Sequence, residues 1–252
     1  MLGGQARGIA QADVIFWVGP GLEAPLSNAL AAAPSARIVS LMDAPGLELL
    51  PARPAGLWSG MQDEEVHRHD LHDHEGHDHG DIDPHLWLDP QNAIAIVRDV
   101  AHVLSDIDQD NASLYTQNAD KTVIELERLQ ADLQQQLAGV SDRSFFVMHD
   151  SLAYFAHRFH LAIGGTIIVS ADHMPGADRL QKLRAELQSG RVVCLFTEPQ
   201  LSDRWVNTLI AGTAARRAAI DPLGIDVGTG RYSYETMMRN LGKAVANCLQ
   251  PA

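Results

Sequence analysis

Several absences narrow the reading of this 252-residue chain before any motif is considered. Only two cysteines, Cys194 and Cys248, are present, and neither sits in a CxxC pair, which excludes a paired-cysteine zinc knuckle. Two distant cysteines fit either one disulfide or two buried thiols, and the count favours neither. Basic residues are few, 19 Lys and Arg against 32 Asp and Glu, for a net charge of −13. That balance excludes nucleic acid as an expected partner, since phosphate neutralisation needs clustered cations. No apolar run approaches the ~18–20 residues needed to span a bilayer. Met1–Gly8 shows no basic stretch followed by an apolar one, so no signal peptide is read there. Also lacking are HExxH (His74-Glu75 meets its next histidine one residue early), the GxSxG elbow, and any dinucleotide or phosphate-loop fingerprint after Gly19-Pro20-Gly21. His149-Asp150-Ser151 is contiguous, whereas catalytic triads assemble in space, and neither cysteine has an activating charge beside it.

What is present is a chain with 46% hydrophobic residues, long enough for a core and for one or two domains. Asp13–Val18 reads as a buried strand ended by Gly-Pro-Gly, Leu22–Ala33 as a helix stopped by Pro34, and Arg37–Leu41 as a second strand. Leu50–Asp83, rich in Pro, Gly, His and acid, reads as a long irregular loop. Asp89-Pro90 starts a helix that reaches about Asp108, with an N-cap followed by proline. A second helix follows from Asp110, with Leu126, Leu129, Leu133 and Leu137 on one face. Beyond Gly139 strands and helices alternate. Strands are expected at Ser144–Met148, Gly165–Ser170, Arg191–Phe196 and up to Ile220, and helices at Ser151–His160, Ala177–Gln188, Ser202–Ala215 and Ser233–Leu249. The architecture expected is α/β, two lobes with parallel sheets. Residues 1–109 form the first lobe, 110–139 a long rigid linking helix and 140–252 the second lobe.

Charge and histidine are concentrated together. Asp63–Asp83 holds nine acids and one arginine, a balance of −8 that leaves −5 for the rest of the chain. His67, His69, His72, His74, His77 and His79 fall within thirteen residues there. Neutral imidazoles among carboxylates bind zinc, copper or nickel, although a flexible tract imposes no single geometry and suits capture or sensing. His85, in Asp83-Pro84-His85-Leu86-Trp87-Leu88-Asp89-Pro90, lies in a turn-rich segment before a helix. His149, Glu198 and Asp221 each follow an expected strand, the place where open α/β sheets hold ligands. Convergence of such groups would give a tetrahedral N/O zinc site, and helix capping is the plainer role for strand-end acids. His102, His157, His160 and His173 read as surface residues.

Together these segments resemble the zinc-specific solute-binding proteins of bacterial metal-uptake ABC transporters. The resemblance runs over nearly the whole chain, through Ala12–Glu23, the His/acid loop, Asp83–Pro90, Phe145–Leu161, Met174–Leu180, Cys194–Gln200 and Asp221–Gly224. It implies metal held in a cleft between the lobes by His85, His149 and Asp221, the last bound directly or just behind a water. It also implies a Cys194–Cys248 disulfide, a periplasmic location, zinc as the captured ion, a membrane permease as partner and a monomer without enzymatic activity. The His-rich loop, with auxiliary zinc at His67–His79, marks the zinc members. Manganese relatives place a carboxylate where His149 stands, so a manganese or iron importer is the alternative within the class. A zinc hydrolase, with Glu198 as base, is the alternative outside it, and a non-functional remnant is a third. The family begins with a strand–helix–strand unit and a first ligating histidine that have no counterpart before Ala12, so the first lobe is expected to be incomplete and zinc binding weaker than in an intact relative.

Overall fold

A computed structural model of the chain describes residues 3–31, 36–54, 56–58, 82–168 and 176–251. His67–His79, the loop expected to hold auxiliary zinc, and His173 lie outside the described residues. The chain divides into two compact units, residues 1–52 with 72–125, and residues 53–71 with 126–252.

The first unit begins with α1 (Gly3–Ala10) and β1 (Val14–Trp17). The helix expected at Leu22–Ala33 is broken into α2 (Pro20–Glu23), a 3-10 turn (Ala24–Leu26) and α3 (Ser27–Ala31). Pro25 explains the break, since its ring removes a backbone donor and crowds the preceding turn. The Glu23 carboxylate folds back to accept from Val18 and Gly19 backbone N–H groups, at 2.7 and 3.3 Å. Strand β2 (Arg37–Ser40) then pairs with β1 in parallel, Val14 opposite Arg37 through Trp17 opposite Ser40.

Helix α4 (Pro90–Ile107) starts as its sequence requires, with Asp89 capping the Gln91 N–H at 2.8 Å and Pro90 in the first turn. Its buried Asn92 exchanges two hydrogen bonds with the Glu48 backbone, at 2.8 and 3.0 Å, and so ties the preceding segment to the helix. Leu50 in turn accepts from the Asp83 N–H at 2.9 Å, and Pro51 bridges Ile82. Helix α5 (Ala112–Leu137) follows a 3-10 turn. The division between units falls within it, after Glu125. Its later half carries the leucine stripe, and Leu129, Leu133 and Leu137 are fully buried.

The second unit holds a parallel sheet in the order β4-β3-β5-β6, made of β3 (Ser144–Val147), β4 (Ile163–Thr166), β5 (Val192–Thr197) and β6 (Arg216–Ala219). Between them run α6 (Ala153–Phe159), α7 (Ala177–Gln188) and α8 (Val206–Ile210), and α9 (Ser233–Leu249) follows β6. Phe146, Met148, Ile167, Leu183, Leu195 and Val206 centre one of its buried clusters. Near-continuous apolar strands such as Val192–Thr197 are what a parallel sheet covered on both faces demands. Helix α9 approaches α5 closely at Gly242, where any side chain would meet Leu133. The α/β class with parallel sheets is therefore present.

One part of the chain sits differently from the expectation. Residues 53–58, placed by sequence in the first lobe, belong to the second unit. Trp58 N–H donates to Gly164 O at 2.7 Å, and Thr166 N–H to Gly56 O at 3.0 Å. Leu57 bridges Gly165 antiparallel and rests against the second unit's buried cluster. These bonds satisfy the outer edge of β4, which pairing with β3 leaves open. Gly165, at φ +152°, is held where only glycine sits without strain, and a side chain there would strike the Gly56 carbonyl.

Candidate metal-ligating residues

His85 lies two residues beyond Asp83, in the turn before the buried Leu86 and Leu88. The Asp83 carboxylate is almost fully buried and accepts twice through Oδ1, from the His85 backbone N–H at 2.9 Å and from its ring Nδ1 at 2.7 Å. An Asx turn thus aims the acid at its own histidine. Leu50 holds Asp83 from behind, and the Trp87 ring lies 5.4 Å from the imidazole. A neutral imidazole that donates from Nδ1 has its lone pair on Nε2, the atom a metal would take.

The second unit repeats this chemistry with different parts. His149 stands on the bend after β3 and Glu198 directly after β5, the next strand in the sheet. The Glu198 carboxylate is fully buried and accepts from His149 Nδ1 at 2.9 Å. Ser151 Oγ at 3.5 Å and Gln200 Nε2 at 3.4 Å complete its surroundings. A buried carboxylate is costly unless such donors meet it, so its placement beside the ring is specific. The adjacency of β3 and β5 makes the contact, although 49 residues separate the pair in sequence.

Asp221 opens the turn after β6, beyond Ile220, its carbonyl accepting from Gly224 N–H at 3.3 Å. Its Oδ2 accepts from the Asp226 N–H at 2.9 Å. Its Oδ1 is buried and has no hydrogen-bond partner among the described residues. The residue lines a cavity of about 180 Å³ together with Pro199, Met237 and Asn240. A buried carboxylate oxygen left without a donor is a group that a cation would satisfy. His149, Glu198 and Asp221 thus all lie at the C-terminal ends of parallel strands, as the sequence placed them.

Within each unit, among the described residues, no three His, Cys, Asp or Glu side chains are gathered closely enough to hold a metal ion by themselves. His102, His157 and His160 are exposed. Cys194 on β5 and Cys248 on α9 form a disulfide, with Cα atoms 6.0 Å apart. Sequence reasoning names Glu198 among the strand-end groups that could converge on zinc, as a capping or supporting acid or as a hydrolase base, and gives Asp83 no role. The two-residue spacing from Asp83 to His85 was the available signal for the second. Arg53 and Asp150, which form a bidentate ion pair beside His149, were missed, and a sequence separation of 97 hides them.

A protein-family model described as zinc-uptake complex component A, periplasmic (ZnuA), matches residues 3–248. The chain belongs to this family. Among related proteins, the high-affinity zinc uptake system protein ZnuA of Brucella abortus (strain 2308) is 35% identical over 269 residues, covering 97% of this chain and 79% of that protein. A crystal structure of ZnuA superposes with a TM-score of 0.78 at 24% identity, covering 98% of this chain and 84% of that one. A ZnuA deletion mutant with zinc bound gives a TM-score of 0.77 at 25% identity, over 99% and 84% of the two chains. Membership in the ZnuA family agrees with the resemblance drawn from Ala12–Glu23 and the later motifs, and the disulfide it implied is present. Among the described residues no helix is long and apolar enough to cross a membrane.

Proposed function

We propose that this chain is the extracytoplasmic zinc-capturing component of an ABC importer, with His85, His149 and Asp221 as zinc ligands. The observation that carries the reading is the repeated carboxylate–histidine pair: Asp83 on His85 and Glu198 on His149, each occupying Nδ1 with a buried acid. Metal-binding histidines are held in this way, because the acid fixes the ring's orientation and raises the basicity of Nε2. Asp221, whose Oδ1 has no hydrogen-bond partner among the described residues, supplies an oxygen donor. Two imidazoles and a carboxylate favour zinc over manganese, whose preference is for oxygen. Kinship with proteins named for high-affinity zinc uptake points the same way.

In this reading zinc is cargo, coordinated in the periplasm by a monomer and surrendered to a membrane permease, with no covalent chemistry on a substrate. The tract His67–His79 offers auxiliary zinc sites. The hydrolase alternative needs a free general base near the metal, and Glu198, its candidate, is buried against the ring it holds. The test is zinc stoichiometry and affinity by chelator competition for the whole chain and for a variant lacking residues 67–79. His85→Ala, His149→Ala and Asp221→Ala are measured beside them. The expected result is one tight zinc that survives loop deletion and weakens by roughly 100-fold or more in either histidine variant. Retention of wild-type affinity in His149→Ala would refute the ligand assignment.

A further inference from the structure

The bend that carries His149 is tied through its backbone by Ser151 N–H to His149 O at 2.8 Å and by Ile168 N–H to Met148 O at 3.0 Å. Its ring is gripped by Glu198. Its next residue, Asp150, is gripped from another part of the chain. Arg53 Nε donates to Asp150 Oδ2 at 2.8 Å and Nη2 to Oδ1 at 2.5 Å, a two-pronged fork that fixes direction as well as distance. The Asp150 side chain is 15% exposed and that of Arg53 36%, so the pair is only partly screened by water.

Arg53 is itself held in place. Its guanidinium lies 4.1 Å from the centre of the Trp58 ring, and Trp58 Nε1 donates to Pro54 O at 3.3 Å. The backbone of Gly56–Trp58 is bonded to Gly164 and Thr166 on the edge of β4. A planar cation on an aromatic face loses little further freedom when it meets a carboxylate. The five residues from Arg53 to Trp58 described here therefore form a preorganised stem, and it ends on the residue beside a proposed ligand.

We infer that Arg53 is a positioning residue for zinc, acting through Asp150. With Glu198 on the ring and Arg53 on the adjoining residue, the Met148–Asp150 bend is clamped from two sides, and the imidazole enters coordination without first being ordered. The inference rests on His149 as a zinc ligand. Loosening the clamp speeds zinc release without unfolding the unit, because Gly56–Trp58 keeps its bonds to β4.

The experiment follows zinc release from the loaded whole chain into excess chelator, together with thermal melting of the zinc-free protein. Wild type is compared with Arg53→Ala, Asp150→Asn, the double variant, the exchanged pair Arg53→Asp with Asp150→Arg, and His149→Ala. Release about two- to fivefold faster in each single variant is expected, the size of a partly exposed ion pair. The double variant should be no faster than the singles, the exchanged pair should recover toward wild type, and the zinc-free melting midpoint should stay put. Release at the wild-type rate in Arg53→Ala while His149→Ala loses zinc overturns the positioning role alone. Faster release that adds in the double variant, or that tracks a falling midpoint, also overturns it. Undiminished zinc affinity in His149→Ala removes the ligand reading and this inference with it.

Discussion

Replacing Glu198 offers the sharpest test of the carboxylate–histidine arrangement, because its two obvious variants separate charge from shape. The His149 side chain is one-third exposed, so burial alone does not fix its ring, and the 2.9 Å bond to Glu198 does most of the orienting. Glu198→Gln keeps the volume and an acceptor oxygen and removes the charge. The loss is the charge-assisted share of the bond, about 1–1.5 kcal/mol, or roughly tenfold in zinc affinity. Glu198→Ala also frees the imidazole rotamers, adding about 0.5–1 kcal/mol, and brings the total to roughly 10–70-fold, within the range found for outer partners of metal-bound histidines. Chelator competition at fixed pH measures both, and circular dichroism melting of the zinc-free forms separates them from a folding defect. Because Glu198 is fully buried, Glu198→Ala should lower the melting midpoint whereas Glu198→Gln should hardly move it. Wild-type affinity in Glu198→Gln and a change below threefold in Glu198→Ala would show that the acid merely fills the end of β5.

Further expectations concern stability, the third ligand and acid. The disulfide closes a loop of 54 residues, for which chain entropy gives about 4 kcal/mol, so Cys194→Ala with Cys248→Ala should lower the second unit's melting midpoint by about 10–15 °C. A shift under about 3 °C would contradict it. Asp221→Asn relieves a carboxylate oxygen that has no donor among the described residues and should stabilise the zinc-free protein by about 1 kcal/mol while weakening zinc at least about tenfold. A more stable variant with unchanged zinc affinity would remove Asp221 from the ligand set. Bonds from the Asn111 amide and the Tyr115 hydroxyl hold the Asp108 carboxyl below the usual carboxylate range. A depressed folded value means that this contribution is complete above the unfolded value and fades as pH falls through the folded one. Tyr115→Phe should therefore raise the Asp108 titration seen by carboxyl NMR and shrink the stability lost on acidification, which still begins at the unfolded value, and an unmoved titration would refute the assignment.

Elements whose boundaries are written in their own residues were legible in the sequence. Asp89-Pro90 opens α4, and the expected spans of α7 and α9, Ala177–Gln188 and Ser233–Leu249, match the structure. Elements ended by tertiary contacts were not. Ser202–Ala215 is helical only over Val206–Ile210, where the Arg184 guanidinium takes the Thr208, Leu209 and Ala211 carbonyls. The strand expected at Gly165–Ser170 lies instead at Ile163–Thr166, and Arg179 claims the Thr166 and Ile167 carbonyls at its end. The same distinction holds among the candidate ligands. Strand-end position singled out His149, Glu198 and Asp221, and the partner of His85 lies two residues away, whereas the partner of the His149 ring depends on which strands become neighbours. No local pattern links Arg53 to Asp150 across 97 residues.

The covalent tie between β5 and α9 also dictates an order of events during biogenesis. Cys194 emerges 54 residues ahead of its partner, so the bond cannot close until β6 and almost all of α9 have reached an oxidising space. Until then any assembly of strand β5, with Glu198 at its end, rests on non-covalent contacts alone. A chain stalled before Cys248 would carry a buried, reduced Cys194 and a provisional grip on His149, a state that thiol-reactive probes could count in cells.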